Sequence, residues 1–123
     1  MAQASKYIGI SPITGQSLGG DANLAITSAG TTRATAKALT NTINMITTNA
    51  ATTPYPGVSL PTGSIGDEIY VYNATVNPLN VYPNSATAQI NQIAAGGPHI
   101  LAPYSSCSYV IGSASQIIGM LSA

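Results

Sequence analysis

Charged side chains are scarce in this chain. Only 5% of its 123 residues are charged, and three basic residues balance three acidic ones, whereas about a quarter is usual. A neutral chain does not attract phosphate groups, so we expect no nucleic-acid partner and no binding to anionic membranes. Net charge keeps most free monomers soluble. With 45% hydrophobic residues, this chain is therefore interpreted as an assembling subunit, the alternative being a Thr- and Asn-rich soluble domain.

Cysteine occurs once, and tryptophan and phenylalanine do not occur. Cys107 alone cannot form an internal disulfide or a metal site, and without a cationic neighbour in sequence it is interpreted as a buried, unreactive thiol. No stretch approaches the roughly 18 apolar residues that span a bilayer, and the first residues lack the apolar core of a signal peptide. We therefore expect no membrane partner, and synthesis in the cytoplasm.

One catalytic motif matches the chain as a residue pattern, without the structural context that the motif requires. Residues 15–19 read G-Q-S-L-G, the G-x-S-x-G pattern of α/β-hydrolases, and Asp67 and His99 follow in that family's order. No buried strand precedes Ser17 and no helical pattern follows it, so the match is interpreted as chance. No His, Cys, Asp and Glu cluster has metal-ligand spacing, and no phosphate-binding loop is present. The sequence predicts a non-enzyme with no catalytic residue, metal, cofactor or small-molecule substrate.

Short apolar segments separated by Gly and Pro dominate the chain from residue 23 onward. Because they show no sustained helical period, they favour an all-β fold, a single β-sandwich or jelly-roll domain over residues 23–123. A short Ala-rich helix is the alternative over residues 33–39. The expected strands lie within residues 31–48, 58–60, 67–73, 79–82, 89–93, 99–102, 107–111 and 116–121.

Residues 1–22 differ from the rest because they are rich in Gly and small polar residues. Such a segment cannot bury enough surface to order itself, so it is either disordered or folded onto a neighbour's groove. We favour the second and expect an extended arm. Its interface anchors are predicted to be Tyr7, Ile8, Ile10 and Ile13.

Residues 66–83, GDEIYVYNATVNPLNVYP, are the most informative segment. Two alternating apolar runs flank a polar turn, which predicts a β-hairpin. Tyr70 and Tyr72 fall on one face of the first strand, and Tyr82 is expected to join them in an outward aromatic stripe. The stripe indicates cross-strand pairing within the sheet, the core of a second layer, or a subunit contact. The N-glycosylation pattern at residues 73–75 is interpreted as turn chemistry.

This segment resembles one that recurs in small structural proteins of tailed bacteriophages, where G-D leads into a strand and a short loop precedes L-x-V-Y-P. The similarity extends over about residues 40–111, through N-x-I-x-T, V-x-L-P at residues 58–61 and the strand at 107–111. Family members commonly place an aromatic residue, often Trp, near the end. In this chain Ile117, Ile118 and Leu121 take that place.

The resemblance implies a capsid decoration, or head cement, protein of the virion surface. Such a β-sandwich binds between subunits of the major capsid protein and braces the expanded phage head. Self-association is expected, with a homotrimer favoured over a dimer. The alternatives are a head-fibre or tail-fibre module, and a carbohydrate-binding jelly roll in which Tyr70, Tyr72 or Tyr82 stacks on sugars.

Overall fold

The computed structural model describes residues 21–51 and 53–121. Every helix-or-strand element in this part of the chain is a strand, and residues 32–36 form a turn where a helix was the alternative. The strands are β1 Ala22–Thr27, β2 Lys37–Ala38, β3 Ile43–Thr48, β4 Gly57–Ser59, β5 Glu68–Asn73, β6 Leu79–Tyr82, β7 Gln89–Ile90, β8 His99–Leu101, β9 Ser106–Ile111 and β10 Gln116–Leu121.

These strands wind into a β-solenoid of about 4 turns. Six strands form one sheet in the order β1-β3-β5-β9-β10-β7, and four form the other in the order β2-β4-β6-β8. The chain alternates between the two sheets, so that β1–β2, β3–β4 and β5–β6 each make one turn. Equivalent strands of these successive turns pair in parallel.

The expected β-sandwich or jelly roll is therefore wrong, and so is the hairpin at residues 66–83. Strand β5 pairs with β3 and β9, whereas β6 pairs with β4 and β8. The polar residues between β5 and β6 turn a corner into the other sheet and do not reverse the chain within one. Alternation of apolar residues shows which face of a strand is buried, but it does not identify the strand's partner.

A spacing of 21 residues relates the first two turns. Ala22 pairs with Ile43 and Lys37 pairs with Val58, each partner lying 21 positions further along the chain. The amide of Leu39 donates to the carbonyl of Ser59 at 2.9 Å, which continues the same register. Later turns carry longer loops, because Ile43 and its partner Tyr70 in β5 are more than 21 residues apart along the chain.

The C-terminal end of the solenoid is closed by antiparallel strands. Strand β8 runs antiparallel to β6, β9 to β5, and β10 to β9, while the short β7 lies parallel to β10 at the sheet edge. Of Ile117, Ile118 and Leu121, only Ile117 is buried, because its side chain points between the sheets.

The core lies between the two sheets. Val58 and Val81 are paired neighbours in the four-stranded sheet and are both fully buried, and they belong to the same core cluster as Ile46, Val71 and Tyr109 of the six-stranded sheet. Burying each such aliphatic side chain contributes roughly 1.5–3 kcal/mol. The core therefore fixes which face of each strand points outward.

Buried polar side chains stack at the corner where successive turns leave the six-stranded sheet. The Ser28 hydroxyl donates to Asn49 Oδ1 at 2.6 Å, and Asn49 Nδ2 donates to the Pro78 carbonyl at 2.7 Å. Asn77 Nδ2 in turn donates to the Asn49 carbonyl at 2.9 Å. These bonds satisfy backbone groups that the corner removes from the sheet ladders, so they hold the turns in register.

Candidate binding face

The outer surface of the six-stranded sheet carries large apolar side chains. Leu24 of β1 is 60% exposed, Met120 of β10 is 52% exposed and Tyr72 of β5 is 38% exposed. Side chains alternate along a strand, so the residues between inward-pointing ones project to the outside. We call this surface the outer apolar face and define it as Leu24, Ile43, Met45, Tyr70, Tyr72 and Met120.

Strand pairing brings these sequence-distant residues together. Ile43 of β3 lies beside Tyr70 of β5, and Met45 lies beside Tyr72. On the other side of β5, Ser108 of β9 separates Tyr70 from Met120. Paired positions across strands are close enough for their side chains to interact. The face is therefore continuous from β1 to β10.

A groove of about 390 Å³ runs over this face. Its lining includes the small residues Ser106 and Ser108 of β9, which pair with Tyr72 and Tyr70. Because a serine side chain is much shorter than a tyrosine or methionine, β9 forms a floor between the taller side chains of β5 and Met120 of β10. The groove is a shape that an apolar edge or loop of another molecule could fill.

Few polar groups are available within the groove. The two serine hydroxyls are exposed only in part, and the hydroxyl of Tyr70 donates to Glu68 Oε2 on its own strand. The lining also includes Asn44 and Cys107, which are both buried, and is otherwise aliphatic, thioether and aromatic. Such a surface gains free energy by excluding water.

The structure places two of the three expected tyrosines on this face. Tyr70 and Tyr72 project from β5 as predicted, but Tyr82 is only 5% exposed and its hydroxyl donates to the Thr31 carbonyl at 3.0 Å. The expected three-tyrosine stripe is wrong because β5 and β6 belong to different sheets. The arm anchors Tyr7, Ile8, Ile10 and Ile13, with most of the expected arm at 1–22, lie outside the described residues.

Sequence reasoning missed Leu24, Ile43, Met45 and Met120 as members of the face. A signal was present, because β3 reads I-N-M-I and β10 reads Q-I-I-G-M-L, with apolar residues at both inward and outward positions. A strand that is apolar on both faces is typical of a sheet covered on both sides.

A second group of titratable residues lies inside the fold, between the sheets. His99 Nδ1 and the Tyr109 hydroxyl are 2.8 Å apart, and the two rings meet edge to face. Burial lowers the pKa of His99 and raises the pKa values of Tyr109 and Cys107. These shifts favour the uncharged forms, so we assign this group to packing.

The hydrolase-like residues are not assembled in the described part of the chain. Asp67 accepts the amide of Ser64 at 2.8 Å, His99 is engaged with Tyr109, and no hydrogen bond joins Asp67 to His99 there. Ser17 lies outside the described residues. Over residues 21–51 and 53–121, no group of three His, Cys, Asp or Glu could hold a metal ion.

Comparison with protein-family models, curated proteins and solved structures found no significant match. Within the described ranges, the chain forms no helix of the length and apolarity that crossing a bilayer requires. The outer apolar face is therefore the main structural feature from which a function can be argued.

Proposed function

We propose that this chain is a non-enzymatic structural protein of a tailed-bacteriophage virion, which decorates the capsid by binding between subunits of the major capsid protein and stabilises the expanded head. The observation that carries the proposal is the outer apolar face on a nearly uncharged protein. The sequence resemblance at residues 66–83 gives the proposal its phage context.

The chemistry of the face suits permanent burial. Leu24, Tyr72 and Met120 are each more than a third exposed, and covering apolar surface contributes roughly 25 cal/mol per Å². Exposed apolar surfaces of this kind mark sites of association. The nearest charged side chain described on this sheet, Glu68, is half-buried and engaged with Tyr70. Binding would therefore require little desolvation of ions, which is the main cost of burying charged surfaces.

The solenoid suits a bracing role because its two sheets are stacked turn upon turn around one core. A partner that binds across β1, β3, β5, β9 and β10 contacts every strand of one sheet except the short β7. In this proposal the anchors Tyr7, Ile8, Ile10 and Ile13 contact an adjacent capsid subunit. A homotrimer at a local three-fold axis is the favoured arrangement, because capsid lattices offer many such axes.

Binding to heads tests the proposal with a pair of matched variants. Leu24→Lys places a charge on the outer apolar face, whereas Ile100→Lys places the same charge on the outside of the four-stranded sheet. The two side chains are similarly exposed, at 60% and 64%, so neither change disturbs the core. Each protein is co-sedimented with expanded, undecorated phage heads, and the ratio of bound chain to capsid protein is measured at saturation.

We expect the wild-type chain and Ile100→Lys to saturate at the same fixed ratio, and Leu24→Lys to lose most binding. Equal loss in both variants would show that the outer apolar face is not the contact. Absence of saturable binding by the wild-type chain would reject the capsid role and leave the phage fibre module as the candidate.

The position of Tyr72 beside the groove favours one further candidate, a carbohydrate-binding module, because sugar rings stack on exposed aromatic side chains. Sugars also require several hydrogen-bonding groups, of which this groove offers few. Glycan-array binding that is lost in Tyr72→Ala would support this candidate over the capsid role.

A further inference from the structure

Strand β2 forms an open edge at the N-terminal end of the solenoid. In the described residues it pairs with β4 on one side and is the first strand of its sheet. The Leu39 amide donates toward β4, and successive amides of a strand point in opposite directions, so the amide of Ala38 points away from β4. Lys37 and Ala38 are exposed. Such an edge is a template for a further strand.

The sequence before β1 resembles that of β4 and shares the leucine of both β2 and β4 segments. Residues 36–39 read A-K-A-L and residues 57–60 read G-V-S-L, and the structure aligns them at the 21-residue spacing. The same distance before residue 36 lies residue 15, and residues 15–18 read G-Q-S-L. The repeated leucines, Leu39 and Leu60, are 3% and 4% exposed.

The connection into β1 has the matching length. Leu39 is followed by three residues before β3 begins at Ile43, and Leu18 is followed by three residues before β1 begins at Ala22. Ala22 and Ile43 are themselves paired partners. Leu18 therefore precedes β1 by the same number of residues as Leu39 precedes β3.

We infer that residues 15–18 pair in parallel with β2 of the same chain, with Ser17 beside Ala38 and Leu18 covering Leu39. This segment extends the solenoid by part of a turn and covers its open edge. It leaves the proposed arm anchors, which all precede residue 14, outside the added strand. The inference does not depend on the capsid role.

The identity of Gln16 fits the end of a solenoid. In the four-stranded sheet, Val81 pairs with Val58, and Val58 pairs with Lys37. This column of paired residues is apolar within the solenoid and ends in a polar residue. The next position in this column is Gln16. Repeat proteins require terminal units with a polar outer surface, and a polar column end provides one.

A designed disulfide tests the register. Strands in a sheet lie roughly 4.8 Å apart, within the range of about 4.4–6.8 Å between Cα atoms that a disulfide spans. We expect Ser17→Cys with Ala38→Cys to form an intramolecular disulfide under mild oxidation, identified by peptide mapping. The control pair is Gln16→Cys with Ala38→Cys, which is one position out of register and directs the first thiol to the other face.

Equal crosslinking of the two pairs, or none in the first, would overturn the inference, and so would a disulfide between two chains. A second measurement does not need engineered thiols. In Leu18→Asn, hydrogen exchange of the Ala38 amide should accelerate at least about tenfold, whereas Ile13→Asn should leave it unchanged. An unchanged rate in Leu18→Asn would also overturn the inference.

Discussion

Replacing Asn73 with alanine should be among the most damaging single changes in the chain. Its side chain is completely buried at the corner where β5 ends. Its amide group donates to the carbonyls of Asn77 at 2.8 Å, Leu101 at 3.2 Å and Ala102 at 3.2 Å. Its Oδ1 accepts the amide of Thr75 at 3.1 Å and the hydroxyl at 2.7 Å, so the motif at residues 73–75 is an Asx turn.

The magnitude follows from these partners. An amide side chain has two N–H donors and two acceptor lone pairs, so about four bonds are effective at once. At a net value of about 1 kcal/mol each, Asn73→Ala should lower the free energy of unfolding by about 3–4 kcal/mol. The change leaves buried carbonyls of two separate segments without this donor, and the corner that joins the two sheets loses its ties to the loop before β9.

Urea denaturation followed by circular dichroism measures this loss. For a urea m-value of about 1–3 kcal/mol per M, the midpoint should fall by at least about 1 M. The matched control is Asn84→Ala, which removes one longer bond to the Pro61 carbonyl from a half-buried side chain and should cost less than about 1 kcal/mol. Equal midpoints for the two variants would refute the reasoning about the corner.

Three further predictions concern the core. Burial lowers the pKa of His99, so its neutral form contributes stability that is complete above the unfolded pKa near 6.5 and is lost as pH falls through the lower folded pKa. His99→Gln should therefore flatten the pH dependence of the melting temperature in this range, and an unchanged pH dependence would contradict the prediction. Gly57→Ala should lower the melting temperature more than Gly112→Ala, because a Cβ at Gly57 would lie 2.4 Å from a backbone carbonyl oxygen, against 3.3 Å at Gly112; equal melting temperatures would disprove the packing argument. Cys107 is 2% exposed and burial raises its pKa. In urea, the rate at which a thiol reagent modifies Cys107 should therefore equal the rate of unfolding. Rapid labelling of the native chain would contradict the burial of this thiol.

Most of the strands could be located from the sequence, but β1 at Ala22–Thr27 was not expected, since the first expected strands lay within residues 31–48. The expected strand at residues 116–121 coincides with β10, and the expected strand at 107–111 differs from β9 by one residue. The outward direction of Tyr70 and Tyr72 was also predictable, because it depends only on alternation within β5. These features are local, so neighbouring residues are sufficient to specify them.

The architecture could not be predicted from the same local patterns. A parallel solenoid and an antiparallel sandwich both use short strands with alternating apolar residues, and they differ in the distance along the chain between partners. The 21-residue spacing of residues 36–39 and 57–60 was the signal for a solenoid, since internal repeats indicate stacked turns. Longer later turns and antiparallel β8 to β10 weaken this signal. The composition of the outer apolar face depends on these long-range pairings, which is why Leu24 and Met120 were missed.

The most direct test of the proposed role is whether capsids cover the outer apolar face. Hydroxyl-radical footprinting of the wild-type chain, alone and at saturation on expanded heads, measures the oxidation rates of Met120 on the face and of Tyr104, which is 60% exposed in the loop before β9. We predict that oxidation of Met120 falls several-fold on heads while that of Tyr104 changes little. Oxidation of Met120 at the same rate in both samples would contradict the role assigned to this face.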